Sequence, residues 1–222
     1  MKILLSIALV LSMVACAKAP TIQQGPDAEV TFDGLVRIDN STFSNAWIDP
    51  DVDLSKYNKI MPGGAEFEFR AVKKSNSTSA IRRMDESEYW ISDENKEKVR
   101  EIVTEAFREE LLQSKHFEFA NTRGPDTLII VGGLHDIISR VPPDLVGRGE
   151  IYLASVGEAT LILEAIDSLS GETIYRAIDR RSAEQAGGNL ERSSSVRTTA
   201  EVRRLAKRWA SRLRVGLDSI HE

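Results

Sequence analysis

The sequence contains a single cysteine, Cys16, and only three histidines in 222 residues. One thiol cannot form an internal disulfide or a thiolate metal site, so stability must come from a hydrophobic core. The histidines, His116, His135 and His221, lie far apart in the sequence and lack the spacing of metal ligands. We therefore expect no disulfide scaffold, no resident metal and no cofactor.

Long apolar runs are also missing. The run from Ile3 to Val14 is interrupted by serine and is shorter than the ~20 apolar residues that a membrane-spanning helix needs. It follows Lys2 and precedes the small residues around Cys16, which is the order of a secretory signal peptide. A transmembrane anchor is therefore not expected.

Two cleavage sites fit this signal. The segment Met13–Cys16 resembles the lipobox of bacterial lipoproteins, in which cleavage before the cysteine leaves its thiol free for acylation. This interpretation predicts a signal peptide over residues 1–15 and a stable membrane anchor of several acyl chains, palmitate among them, at Cys16. Resemblance to lipoprotein sorting signals implies the outer membrane, facing the periplasm, because Ala17 stands where aspartate would retain the protein in the inner membrane. The alternative is cleavage after Ala17 and a soluble periplasmic or secreted protein.

The segment that follows, residues 16–29, is polar and shows neither a helical nor a strand period. It is typical of a flexible tether, which would hold a lipid-anchored domain away from the bilayer. The remaining residues, 30–222, have the length of one domain.

Two segments have the apolar period of amphipathic helices. Ser92, followed by two acidic residues, is an N-cap signal and predicts a helix over about 92–114. The capping-box pattern Thr198–Glu201 predicts a second helix over about 198–217. Trp209 lies on its apolar stripe, so we expect it to anchor the core.

Other segments favour β-strands. The apolar run Leu128–Val131 is typical of a central strand, and the two glycines after it, Gly132 and Gly133, indicate a bulge or a close helix approach. The segments Ala159–Asp167 and Glu172–Arg181 predict a hairpin around a short turn that contains glycine. Neither side of the second segment is cleanly apolar, which indicates an edge strand.

Two shorter strands are predicted at Lys56–Met61 and Phe67–Val72, on either side of Pro62-Gly63-Gly64. Helices set among antiparallel strands predict an α+β fold, with a mainly antiparallel sheet and both helices packed on one face. Three weakly patterned stretches are expected to be surface loops and the default place for binding: Lys73–Tyr89, Ser139–Glu158 and Ser182–Arg197.

The net charge of −5 and the dispersed basic residues predict no nucleic-acid partner. Basic residues concentrate only near the C-terminus, where they alternate with the apolar stripe of the second predicted helix. This pattern favours a solvated helix face over a surface for anionic lipids. The residues are Arg203, Arg204, Lys207, Arg208, Arg212 and Arg214.

The sequence contains no constellation that predicts catalysis. His135 and Asp136 could polarise a water, but no third partner is identifiable. The glycine pair Gly132-Gly133 lacks the spacing and the Lys-Ser/Thr pair of a phosphate loop, and no Gly-x-Ser-x-Gly elbow occurs. We therefore predict no catalytic, cofactor-binding or metal-binding residue.

The order of segments resembles a bacterial lipoprotein family known as domain of unknown function 3313. The resemblance covers roughly Val30 to Leu217 and implies an envelope lipoprotein with a compact α+β domain, but no activity. This chain departs from the family pattern at Met61-Pro62-Gly63-Gly64, where the family more often continues an apolar strand. The matching segments are Asp33–Val36, Pro50–Met61, Gly124–Leu128, Gly157–Leu161, Asp167–Glu172 and Ala206–Ala210.

Two function classes follow from these observations. The favoured class is a lipid-anchored, non-catalytic envelope protein that binds an envelope protein, another copy of itself, a lipid or a glycan. Its predicted edge strand could accept a partner's strand. The alternative is a periplasmic hydrolase or transferase with a non-standard site near His135 and Asp136.

Overall fold

The computed structural model describes residues 18–72, 88–142, 152–184, 191–192 and 194–221. Cys16 and the predicted signal peptide lie outside these residues, as does much of each predicted surface loop. Within the described ranges the strands are β1 (Thr21–Ile22), β2 (Val36–Asp39), β3 (Asn45–Ile48), β4 (Lys59–Phe69), β5 (Glu118–Phe119), β6 (Thr127–Ser139), β7 (Tyr152–Leu153), β8 (Ser155–Asp167), β9 (Thr173–Glu184) and β10 (Glu191–Arg192). The helices are α1 (Asp93–Leu111) and α2 (Ser195–Asp218).

Eight of these strands form one sheet in the order β1-β2-β3-β9-β8-β6-β4-β5, while β7 and β10 pair separately. Every pairing is antiparallel except those of β4 with β5 and with β6, which are parallel. The two helices pack together on one face, where their apolar stripes and alternate strand residues form the core. The predicted α+β class is confirmed.

The first turns of the helices show where the sequence signals were sufficient. In α1 the Ser92 side chain accepts a hydrogen bond from the Asn95 N–H, as its N-cap signal predicts. In α2 the N-cap is Ser194, which accepts from the Arg197 N–H. The predicted N-cap at Thr198 was wrong, because Ser194 caps the helix and α2 begins one turn earlier.

Strand β4 runs unbroken through Pro62-Gly63-Gly64, so the two short strands predicted there are one. The register against β6 shifts between Pro62 and Ala65, which places a bulge at the glycines of β4. The bulge predicted at Gly132 and Gly133 is absent, since both stay in register with β8. Pro62 has no backbone N–H to donate to a neighbouring strand. It is tolerated because β5 pairs only with Lys59 and Ile60, so no strand lies beside Pro62 on the outer side of β4 among the described residues.

The hairpin of β8 and β9 is confirmed, but β9 is not an edge strand. It pairs on its other side with β3, from Asn45 opposite Ile178 to Ile48 opposite Tyr175. The charged residues Arg176, Asp179, Arg180 and Arg181 misled the edge prediction, because each of them forms an ion pair with an opposite charge in the folded protein. The sheet is extended further at this side by β1, which holds Thr21 and Ile22 of the predicted tether against β2.

Candidate binding groove

An open groove of about 1080 Å³ lies between the N-terminal halves of α1 and α2 and one end of the sheet. The apolar stripes are fully buried at Ala106 and Trp209, whereas the stripe residues nearer the first turns, Val99 and Val202, are only half-buried. Aliphatic side chains dominate the surface. They include Val99, Ile102 and Val103 from α1, Val202 and Leu205 from α2, and Leu134, Ile137, Ile138 and Val156 from the sheet.

Burial varies with depth in the groove. Val103 and Leu205 are buried at its floor, with 6% and 5% of their surface exposed. Val99, Ile102 and Val202 are only half-buried, although they belong to the same stripes. These stripes predicted core positions, and the structure shows that their N-terminal members line a cleft open to water.

Hydroxyl groups surround the end of the groove where the helices begin. Ser92 and Ser194 cap the helices, and Thr198 has a buried Oγ1 with no hydrogen-bond partner among the described residues. The two charged residues of the lining are paired. Lys98 Nζ lies 2.6 Å from Glu94, while the Glu158 carboxylate lies 3.1 Å from Arg180 on the other face of the sheet, where Arg180 also binds Asp136.

The residues singled out for catalysis lie on the opposite face of the sheet. His135 Nδ1 is 3.1 Å from a Glu68 carboxylate oxygen and is not hydrogen-bonded to Asp136. Gly133 makes room for this imidazole, because a Cβ there would lie 2.9 Å from His135 Nε2. The Asp136 carboxylate instead binds two arginines, whose hydrogen bonds, that of Arg70 first, hold its pKa below the usual range.

Two of the histidines expected to be isolated are brought together. The rings of His116 and His221 have centroids 5.6 Å apart, and His221 Nε2 lies 2.7 Å from the Tyr57 carbonyl oxygen. No group of three or more potential metal ligands occurs among the described residues. The contact therefore ties the end of α2 to the start of β4.

The basic residues of α2 bind neighbouring carboxylates. Lys207 Nζ is 2.8 Å from Glu109 of α1, and Arg204 is 2.6 Å from Glu201. Arg203 also pairs with Glu109, and Arg212 pairs with Asp179. Arg214 pairs with both Glu110 and Asp218. Arg203, Arg204 and Lys207 fit the predicted solvated helix face, and Arg203 and Lys207 join α2 to α1. Arg212 and Arg214 do not, because they reach the buried carboxylates Asp179 and Asp218.

Sequence analysis missed the polar centre of the core, Asp179. Its carboxylate is fully buried beneath α2 and accepts hydrogen bonds from Ser44, Arg181, Arg212 and the indole N–H of Trp209, the last at 2.8 Å. Burial would raise the pKa of Asp179, but these hydrogen bonds hold it below the usual value. Strand alternation is the sequence signal that could have indicated this burial, because it places Asp179 on the same side of β9 as the buried Ala177.

Together the fold and the groove define an α+β domain of two layers with an apolar cleft at one end. A sequence profile of the family described as "Protein of unknown function (DUF3313)" matches residues 31–213. The chain belongs to this family, which confirms the resemblance found in the sequence. Among the described residues, no helix is long and apolar enough to span a membrane.

The solved structures that match this chain share few identical residues with it. A PelC dodecamer from Paraburkholderia phytofirmans is 13% identical, with 71% of this chain and 89% of that chain covered and a TM-score of 0.34. Protein XCC0632 from Xanthomonas campestris, of family DUF330, is 9% identical, with 74% and 86% covered and a TM-score of 0.41. No curated protein shows significant similarity to the sequence.

Proposed function

We propose that the protein is a bacterial envelope lipoprotein, anchored through Cys16 to the outer membrane and facing the periplasm, which binds the alkyl chain of an amphiphile without catalysis. The groove between the helix N-termini and the sheet is the observation that carries the binding role. The lipobox-like segment before Cys16 supports the anchor.

The chemistry of the lining favours an alkyl chain over a sugar or a peptide backbone. Valine, isoleucine and leucine side chains provide dispersion contacts and exclude water, but they offer no partner to a buried polar group. Hydroxyls at one end of the groove can receive a polar head group. A domain held at a membrane by its own lipid would meet amphiphiles at high local concentration.

The same lining supports binding rather than turnover. The Glu158 carboxylate is held by Arg140 and Arg180 on the other face of the sheet, and the Lys98 ammonium is held by Glu94. The serine hydroxyls of Ser92 and Ser194 are engaged in capping the helices. The alternative enzyme class would place turnover at His135, and it predicts that His135→Ala abolishes an activity while the protein stays folded.

Filling the groove tests the binding role. Val202→Trp places an indole among half-buried side chains of the groove, whereas Val215→Trp adds the same group at an exposed position of α2 outside it. With the whole chain and a fluorescent long-chain fatty acid, we expect Val202→Trp to weaken binding at least tenfold and Val215→Trp to leave it unchanged. Equal affinity of both variants, each shown to be folded, would contradict the proposal.

The anchor has a separate test. Cells that express the Cys16→Ser variant should incorporate no labelled palmitate into the protein, while a matched Ser12→Ala variant should be labelled like the natural chain. Labelling that persists in Cys16→Ser would exclude the lipoprotein interpretation and leave the soluble periplasmic or secreted alternative.

A further inference from the structure

The two edges of the eight-stranded sheet are closed to different extents. At one edge, β1 is two residues long and β2 and β3 are four each. Among the described residues, the part of β9 beyond β3, Asp179–Glu184, has no strand on this side. At the other edge, β5 covers only Lys59 and Ile60 of β4. Among the described residues, no strand pairs with the outer side of Pro62–Phe69.

Backbone orientation divides this open edge into a blocked part and a usable part. The Ile60 carbonyl accepts the Ala120 N–H on the outer side, so by alternation Pro62 also faces outward, where it has no N–H to offer. The bulge at Gly63 and Gly64 follows and disrupts the ladder. This first part of the edge is therefore unsuited to pairing.

The second part, Ala65–Phe69, continues as a strand. Its register against β6 shifts once more, between Phe67 and Phe69, but the extra residue lies on β6, so the alternation along β4 is kept. Arg70 donates its N–H to the Ile137 carbonyl of β6, so the residues that alternate with it, Phe69, Phe67 and Ala65, direct their N–H and C=O groups away from the sheet. Three donors and three acceptors in one row are the template for an added strand.

The side chains beside this row differ between the two faces. Phe67 and Phe69 are half-buried against the core, and the Phe69 ring lies 5.4 Å from the Arg100 guanidinium of α1. On the other face Glu66 and Glu68 are exposed, and Glu68 contacts His135. An incoming strand thus meets apolar surface on one face and carboxylates on the other.

We propose that the outer edge of β4, Ala65–Phe69, binds an extended segment of a partner polypeptide in which apolar residues alternate with lysine or arginine. The apolar residues of that segment pack on Phe67 and Phe69 below α1. Its basic residues lie across from Glu66 and Glu68, where opposite charges on neighbouring strands attract each other.

The test uses the whole chain and an amidated heptapeptide that alternates valine and lysine. We expect saturable binding, with slowed hydrogen exchange at the amides of Ala65, Phe67 and Phe69. N-methylation of alternate peptide amides should abolish binding because it removes the strand's donors, and a valine–glutamate peptide should not bind. Absence of binding, or equal binding of the N-methylated peptide, would overturn the proposal.

Two variants localise the contact. Ala65→Pro removes an outward N–H at an exposed position and should weaken peptide binding at least tenfold, while the pairing of β4 with β6 is kept. Glu66→Lys should weaken it by about fivefold through charge reversal, whereas Glu172→Lys makes the same change of net charge in a remote turn and should have no effect. If Glu66→Lys and Glu172→Lys bind the peptide with the same affinity, the predicted attraction between Glu66 and the basic residues of the peptide is wrong.

Discussion

The two faces of the sheet each carry a carboxylate bound by arginines, and the two sites differ mainly in burial. Asp179, on the helix-covered face, has no exposed side-chain surface, whereas 37% of the Asp136 side chain is exposed on the open face. Both accept hydrogen bonds from two arginines. We expect the buried carboxylate to support the fold strongly and the exposed one weakly, because water competes only on the open face and Asp179 also accepts hydrogen bonds from Ser44 and Trp209.

Loss of the buried carboxylate should have the largest effect. Asp179→Ala leaves the Trp209 N–H, the Ser44 groups and two guanidiniums without an acceptor, so we expect the free energy of unfolding to fall by about 3–5 kcal/mol. Urea unfolding followed by tryptophan fluorescence measures this change. Asp179→Asn keeps an acceptor oxygen and should lose less. A loss below about 1 kcal/mol in Asp179→Ala would show that the core tolerates the unpaired donors.

Acid should destabilise the protein through the same group. The pKa of Asp179 is lower in the folded state than in the unfolded state, where it is near 3.9. The stability that this carboxylate contributes is therefore fully present above the unfolded pKa and is lost as the pH falls through the folded pKa. Arg176 hydrogen-bonds Asp33 on the open face and lowers the pKa of that carboxyl to about 2. Stability measured from pH 6 down to pH 2 should therefore fall below about pH 4.

The Asp179→Asn variant serves as the control for this pH dependence. Its stability should fall less steeply over the same interval, because one group that binds a proton on unfolding is gone. An unchanged slope would assign the acid sensitivity to other carboxylates, Asp167 and Asp218 among them, whose pKa values are also lowered against burial by hydrogen bonds.

The exposed carboxylate should give the smallest effect. Asp136→Ala removes partners from Arg70 and Arg180, both of which reach water, and we expect a loss below about 1 kcal/mol. Asp136 also has a positive φ of 52°, so Asp136→Gly relieves a conformation that side chains disfavour and should cost less than alanine. A loss as large as that of Asp179→Ala would remove the distinction between the faces.

Several features were predictable because they depend on local chemistry. The Ser92 cap, the apolar stripes of both helices and the turn between β8 and β9 involve residues close in sequence, and each was found. The edge assignment of β9 failed for the opposite reason. Asp179 and Arg176 look out of place in a central strand until distant partners, Trp209 and Asp33, come into contact with them.

The groove also could not be predicted from the sequence, because it depends on contacts between distant residues. Val99 and Val202 fit the helical period of buried residues, and periodicity alone cannot tell whether another element covers them. Their partial exposure results from the groove between the two helices and the sheet, which local periodicity does not encode. The open edge at Ala65–Phe69 was likewise hidden, because the glycines before it suggested that the strand was broken.

By itself the sequence determined the class of the fold, the two amphipathic helices, membership of the family and the prediction of acylation at Cys16. These follow from composition, period and short motifs, whose physical causes act within a few residues. Tertiary structure alone decided which strands lie at the edges, where a cleft remains open and which carboxylates are buried. Those properties depend on contacts between residues far apart in the chain, and on the removal of water that such contacts bring about.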